Sequence, residues 1–161
     1  VVCSNPPTVL FCPLIRGSDG KTKDTLNNVR ATHEFVVNIV TEELLNAMNA
    51  TSIESPPEFN EFEFAGLTLT PSVSVKPPRV KESPIHFECK VQQIVDINHA
   101  PGGGSIVIGT VTHIHVEEQV MLGPDKINLM ALRPIGRLMG NGYCRVTDLI
   151  ELERPKNIIG G

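Results

Sequence analysis

The chain has 161 residues, with 14 Lys and Arg, 18 Asp and Glu, and a net charge of −4. This length favours one compact domain with its own apolar core. Charges of both signs are dispersed, which excludes a cationic nucleic-acid arm, so we expect no nucleic-acid partner. No apolar run approaches the roughly 18 residues that a membrane-spanning helix needs, so we expect no membrane partner.

Four cysteines, Cys3, Cys12, Cys89 and Cys144, are far apart and form no C-x-x-C pair. This spacing fits neither a zinc knuckle nor a dithiol redox motif. We therefore predict reduced and mostly buried thiols that act as small apolar residues. Reduced thiols are typical of a cytoplasmic protein.

The first predicted elements are a short strand and a short helix. Residues 9–11 form an apolar run after a Pro-Pro pair and predict a buried strand, and residues 16–21 predict a polar loop. Asp24 or Thr25 is a suitable N-cap for a helix. Leu26 and Val29 are apolar and lie three positions apart, so they would form the side of this helix that faces the protein core.

A second strand and helix follow. Residues 35–40 are rich in β-branched side chains and predict a strand that is covered on both faces. Thr41 is the predicted N-cap of a helix that ends near Asn49, with Leu44, Leu45 and Met48 as its apolar stripe. Residues 60–65, with Gly66 behind them, predict one short capped turn of helix.

The clearest pattern is a hairpin in the second half of the chain. Apolar and polar residues alternate from Ile85 to Gln92, which predicts a strand with one face in solvent. Residues 98–104 are a Gly-rich turn, and residues 105–117 are a second β-branched strand, so we predict an antiparallel hairpin. A Gly-rich stretch at 136–142 and an alternating segment at 143–152 follow.

Many strands with a few inserted helices predict a mainly β protein. The strands and helices do not alternate regularly as βαβ units, so we predict an antiparallel barrel or sandwich with helical excursions. A parallel nucleotide-binding sheet is the weaker alternative.

A candidate phosphate site lies just before the first predicted helix. Residues 16–25 carry Arg16, Lys21 and Lys23 among several hydroxyls. Backbone N–H groups at a helix start, together with a lysine, form a pocket for phosphate. The Walker spacing is absent. The alternative is a solvated, charged loop with an ordinary N-cap.

Two other constellations could contact a ligand. His113 and His115 would lie on one face of a strand, a spacing that can chelate a metal. The sequence shows no carboxylate with evident geometry to complete such a site, so we assign no metal site. The second is the segment 136–143, which contains three glycines, Arg137 and Tyr143. The glycines would let the backbone approach a flat ligand closely, and the Arg137 cation and the Tyr143 ring could hold the ligand's charge and its ring. An ordinary Gly-rich loop is the alternative.

Several motifs resemble those of the flavin reductase-like proteins of the FMN-binding split-barrel superfamily. They occur in the family's order and cover nearly the whole chain. They are PPTVLF at 6–11, KDTLNN at 23–28, EFVVN at 34–38, Glu61-Phe62, Leu67, KPPRV at 76–80, FEC at 87–89 and the loop that ends in GNGY at Tyr143.

This resemblance implies an antiparallel split barrel that forms a homodimer, with FMN near the subunit interface. Arg16, Lys23 and Thr25 would contact the FMN phosphate, and Asp24 would help to set the loop. Arg137 and Tyr143 would lie near the cofactor. Residues 1–161 would be a single domain that lacks the family's two N-terminal strands and their Asn-x-Ala-Pro-x-Ser stretch. We therefore expect a longer protein, and the alternative is a truncated domain with an incomplete FMN site.

The implied activity is that of an FMN-dependent flavin reductase, which passes hydride from a reduced nicotinamide, NADH or NADPH, to flavin. The flavin carries the chemistry, so no side chain is assigned a catalytic role. A flavoredoxin-like carrier that takes electrons from a protein partner is one alternative. A barrel that has lost its flavin is the other.

Overall fold

The structure is a computed structural model that describes residues 1–155. Its elements follow in chain order as β1 (Cys3–Ser4), β2 (Pro7–Phe11), α1 (Asp24–Thr32), β3 (Glu34–Asn38), α2 (Leu45–Ala50), α3 (Glu61–Phe64), β4 (Leu69–Thr70), β5 (Arg79–Val80), β6 (Ile85–Asn98), β7 (Gly104–Val116), a 3₁₀ turn (Glu118–Val120), β8 (Met121–Gly123), β9 (Lys126–Ile127), α4 (Leu129–Leu132), β10 (Ile135–Arg137) and β11 (Tyr143–Arg145).

Five of these strands form an antiparallel sheet in the order β1-β2-β7-β6-β3. The long β6–β7 hairpin is its centre, as the alternation predicts. Its register shifts at 88/89, 91/93 and 96/98. Such shifts bend and twist a sheet, which is how an open sheet curls towards a barrel. The prediction of a mainly β, antiparallel fold is confirmed.

The main core lies between α1 and the inner face of this sheet. Leu26 and Val29 of α1 pack with Phe35, Cys89 and Val107, so the two predicted core positions of the helix are confirmed. A glycine at position 109 makes room for the Phe35 ring, since a Cβ there would lie 2.5 Å from two ring atoms.

Two helix starts differ from the prediction. The N-cap of α1 is Lys23, with Asp24 already inside the helix. The second helix begins at Leu45 rather than after Thr41, because Thr41 pairs with Pro134 in an isolated β-bridge. Glu42 in the same turn binds Arg133 and Arg145. Long-range contacts have therefore replaced the first turn of the predicted helix.

Other boundaries and burials also differ. Strand β11 ends at Arg145 and does not continue to 152. All four cysteines are free, but only Cys89 is buried, and Cys3, Cys12 and Cys144 are exposed. The prediction of mostly buried thiols is therefore wrong, because Cys3 and Cys144 lie at exposed positions of the short strands β1 and β11, and Cys12 lies at an exposed position after β2. The longest helix in residues 1–155, α1, has nine residues, too few to span a bilayer.

Candidate functional site

An apolar cleft of about 400 Å³ lies beside the sheet, between β3, β5 and the helices α2 and α3. We call it the ring cleft. Its walls are mostly aliphatic and aromatic, and its polar members are Thr25, Asn38, Thr51 and Glu61. The apolar lining includes Ile39, Val40, Met48, Phe62, Leu67 and Val80.

A smaller and more polar cleft of about 180 Å³ adjoins the ring cleft. We call it the loop cleft, because the segment before α1 forms one of its walls. It is lined by Arg16, Lys23, Asp24 and Thr25, the four residues that the family resemblance placed at the phosphate site, and not by Lys21. Thr25, Thr51 and Glu61 line both clefts, so the two are neighbours with shared walls.

Lys23 lies at the N-terminus of α1 in an extended conformation, with φ −68° and ψ 150°. The first N–H groups of a helix have no partner within the helix, and the helix dipole adds positive potential there. Within the described part of the chain, no side chain caps this end of α1. A lysine and open backbone donors therefore meet beside the loop cleft.

Arg16 is already engaged by two acceptors. Its Nη2 donates to Asp24 Oδ2 at 2.8 Å and to the Ser55 carbonyl at 3.4 Å. The Arg16 N–H also donates to the Lys21 carbonyl at 2.9 Å, which closes the loop before α1. The Asp24 carboxylate thus neutralises Arg16 locally, and Lys23 provides the less compensated charge at the cleft.

Arg137 and Tyr143 lie elsewhere, in a cleft of about 850 Å³ that we call the amide cleft. The Arg137 Cζ lies 4.5 Å from the centroid of the Tyr143 ring, and Arg137 Nη2 donates to the Gly140 carbonyl at 2.5 Å. Three asparagines, Asn46, Asn49 and Asn141, also line this cleft.

Val40 and Met48 line both the amide cleft and the ring cleft. The structure therefore brings Arg16, Lys23, Asp24 and Thr25 together in the loop cleft beside the ring cleft. It places Arg137 and Tyr143 in the amide cleft, which shares Ser52 with the loop cleft.

Sequence reasoning missed a buried polar cluster on the same sheet. His86 and Glu88 belong to the predicted solvent face of β6, yet they are 3% and 0% exposed. That prediction is wrong here because the loop between β4 and β5 covers this part of the sheet. Val73 N–H and Ser74 N–H donate to separate oxygens of Glu88, at 2.8 Å and 2.5 Å.

Two further donors reach the Glu88 carboxylate. Ser74 Oγ lies 2.7 Å from Glu88 Oε2, and His115 Nε2 lies 2.6 Å from Oε1. Burial by itself would raise the pKa of Glu88, but the hydrogen bonds from Ser74, Val73 and His115 outweigh it and hold the pKa at about 2. His115 thus contacts a carboxylate that lies 27 positions away, which local spacing could not indicate.

His86 fixes the strand β5 that bounds the ring cleft. Its Nε2 lies 2.8 Å from the Val80 carbonyl, so this nitrogen carries the proton, and Nδ1 accepts from Arg79 Nη1 at 3.5 Å. Burial lowers the pKa of His86 and the neighbouring Arg79 charge adds to the effect. A neutral His86 with a protonated Nε2 is the form that fits both partners.

The chain matches known proteins over most of its length. Residues 1–129 match the family described as "Flavin reductase like domain". An uncharacterised protein of Halalkalibacterium halodurans is 38% identical over 157 residues, which cover 96% of this chain and 74% of the relative. Among solved structures, nitrilotriacetate monooxygenase component B from Bacillus cereus is 32% identical with a TM-score of 0.85, covering 94% of this chain and 74% of that one.

The flavoredoxin of Desulfovibrio vulgaris (Miyazaki F) has the same fold, with a TM-score of 0.77 at 21% identity, over 94% of this chain and 76% of that one. The predicted split-barrel fold and the resemblance stated from the motifs are both confirmed. The chain belongs to the flavin reductase-like domain family, whose cofactor class is flavin.

Proposed function

We propose that this protein binds FMN and acts as a flavin reductase with a reduced nicotinamide, NADH or NADPH, as the donor. The observation that carries the proposal is that the apolar ring cleft and the polar loop cleft share wall residues, at a helix start that bears Lys23. Membership of the flavin reductase-like family supports it.

The residues present fit FMN in chemical character. FMN has a flat, largely apolar ring system and a chain that ends in a phosphate. Aliphatic and aromatic side chains of the ring cleft suit the first part. Lys23, the Thr25 hydroxyl and the N–H groups of the first turn of α1 suit the second.

The site residues then have separate roles. Lys23 and Thr25 would bind the phosphate directly. The Asp24 carboxylate holds the Arg16 guanidinium at 2.8 Å, so Asp24 would set the loop and Arg16 would add a partly compensated charge. Arg137 and Tyr143 would meet the cofactor, or what approaches it, from the amide cleft.

The bound flavin would supply the redox chemistry, accepting hydride from the nicotinamide and passing electrons to an acceptor. The protein needs no general acid or base for this transfer. The ring-cleft side chains would orient the flat ring and exclude water from it, and the loop cleft would hold the charged end.

The resemblance also supports a homodimer in the cytoplasm. Size-exclusion chromatography with light scattering tests the first part, because a particle with the mass of one chain would contradict it.

The decisive experiment is the absorbance spectrum of the purified protein, before and after FMN addition and desalting. Retained bands at about 450 nm, the flavin's own absorption, support the proposal. Turnover of NADH or NADPH with excess free flavin then distinguishes a reductase from a flavoredoxin-like carrier, which holds flavin without turnover. A protein that binds no flavin in titration contradicts the proposal and favours the flavin-free alternative.

A further inference from the structure

The β4–β5 hairpin, residues 69–80, connects the buried Glu88 cluster to the ring cleft. Val80, its last residue, lines the ring cleft. The loop at its other end lies over β6 on the outer face of the sheet. There the Glu88 carboxylate accepts hydrogen bonds from the backbone N–H groups of Val73 and Ser74. The backbone pairing inside this hairpin is short, with two residue pairs, Leu69 with Val80 and Thr70 with Arg79. Bonds to the sheet must therefore supply much of its order.

Two sets of polar contacts fix the hairpin to the sheet. At its base, the Asn38 side chain accepts the Val80 N–H at 2.9 Å and His86 binds the Val80 carbonyl at 2.8 Å. At its loop, Glu88 accepts two N–H groups, and Glu34 Oε2 accepts the Lys76 N–H at 2.8 Å.

Arg79 joins the two ends. Its Nε lies 3.9 Å from Glu88 Oε1, and its Nη2 donates to the Pro71 carbonyl across the hairpin at 3.0 Å. Arg79 directly precedes Val80, so it links the Glu88 carboxylate to the residue that lines the cleft.

The geometry at Glu88 requires a carboxylate. Each of its two oxygens accepts a different backbone N–H, and both oxygens are fully occupied. A glutamine has one acceptor oxygen, so its NH₂ group would face one of these N–H donors. Glu34 differs, because a single oxygen accepts a single N–H there, and a glutamine can supply the same bond.

We propose that Glu88 is a positioning residue for the flavin site: by binding the N–H groups of Val73 and Ser74 with separate oxygens, it fixes the β4–β5 hairpin so that Val80 forms the wall of the ring cleft. This inference rests on the proposed function, since it takes the ring cleft as the place of the flavin ring. The burial of an ionised carboxylate is costly, and here the cost is offset by contacts to one loop and its neighbours.

The test compares the wild type, Glu88→Gln and the matched control Glu34→Gln. The first readout is amide hydrogen exchange without flavin. In Glu88→Gln we expect amide exchange at residues 73–76 and 79–80, the non-proline positions of the hairpin, to accelerate roughly tenfold, because a buried donor has lost its acceptor. Exchange in α1 should be unchanged. Glu34→Gln should leave Val80 within about twofold of the wild type, because its one hydrogen bond is retained.

The second readout is flavin binding. We expect Glu88→Gln to weaken FMN binding roughly fivefold or more, and to change the visible circular dichroism of the saturated complex, because the cleft wall is displaced. A purely structural role would lower the melting temperature and leave this signature unchanged. If Glu88→Gln does not fold, Ser74→Ala, which removes one hydroxyl donor from Glu88, should show the same pattern to a smaller extent.

The outcomes separate the two proposals. Normal hairpin exchange in Glu88→Gln, or equal loss of FMN affinity in both glutamine variants, overturns the positioning role and leaves the flavin proposal standing. A wild-type protein that binds no FMN overturns both. Faster exchange confined to the hairpin, together with an altered flavin signature, supports the positioning role.

Discussion

The guanidinium of Arg16 lies 2.8 Å from the carboxylate of Asp24, at the mouth of the cleft where we propose that FMN phosphate binds. The two side chains are 15% and 29% exposed, so water screens the pair only in part. A cation that is paired in this way offers less charge to a phosphate than its position in the sequence suggests. Lys23, which lies at the start of α1, should therefore contribute more.

Replacing Lys23 with alanine should weaken FMN binding by roughly 1.5–3 kcal/mol, more than tenfold in Kd, because a charge-assisted contact is lost. Riboflavin, which has no phosphate, should bind the wild type and Lys23→Ala with equal affinity. Fluorescence titration measures both affinities. Lys21→Ala is the matched control, because Lys21 is 77% exposed, 3.7 Å from Asp19 and outside the loop cleft. An FMN affinity of Lys23→Ala within about threefold of the wild type would refute the phosphate assignment.

Replacing Asp24 with asparagine should strengthen FMN binding by up to about fivefold. The amide oxygen can still accept from Arg16, while the negative charge that compensates Arg16 and repels a phosphate is removed. A partly exposed pair of this kind contributes about 0.2–1 kcal/mol, which sets the limit. The same titration measures it, and weaker binding by Asp24→Asn would show that the carboxylate itself is needed to orient Arg16.

Acid should destabilise the protein partly through Glu88. Burial opposes its charge, but its hydrogen-bond donors hold the pKa at about 2, below the ordinary 4.5. A lowered pKa stabilises the folded state above the unfolded pKa, and this stabilisation is lost as the pH falls from about 4.5 towards 2. The full effect is roughly 3 kcal/mol in the free energy of unfolding.

Urea unfolding at several pH values measures this effect. The pKa values of Glu42, Glu82 and Asp96 are also lowered, so the wild type alone does not isolate Glu88. The difference in stability between the wild type and Glu88→Gln should shrink as the pH falls from 4.5 towards 2. A difference that is constant over this range would contradict the prediction.

The four thiols should react at two very different rates. Burial, and then the nearby Glu88 charge, raise the pKa of Cys89 to about 12, and its side chain is inaccessible. Cys3, Cys12 and Cys144 are exposed. Titration with a chromogenic disulfide at neutral pH should therefore count three thiols in the folded protein and four in denaturant. Cys89→Ala should count three in both, and a fourth fast thiol in the folded wild type would contradict the burial of Cys89.

Much of the fold follows from local sequence. The alternation from Ile85 onwards and the Gly-rich turn at 98–104 predict the β6–β7 hairpin, because strand pairing over a short turn depends on nearby residues alone. Leu26 and Val29 face the core because helical periodicity puts them on one side of α1. The order of several motifs identified the family, and residues 16–25 indicated where a phosphate could bind.

Tertiary structure decided what depends on contacts between distant segments. The alternation marked Glu88 as solvent-exposed, and only the β4–β5 hairpin, which folds back over β6, makes it a buried acceptor. The pairing of Thr41 with Pro134 moved the start of α2 to Leu45. Arg137 and Tyr143 line a different cleft from Lys23, because β10 pairs with β11 and Ile135 N–H donates to the Val40 carbonyl. Sequence patterns report which residues favour burial or a helix, but the burial and charge of a particular side chain depend on which other segment comes to lie over it.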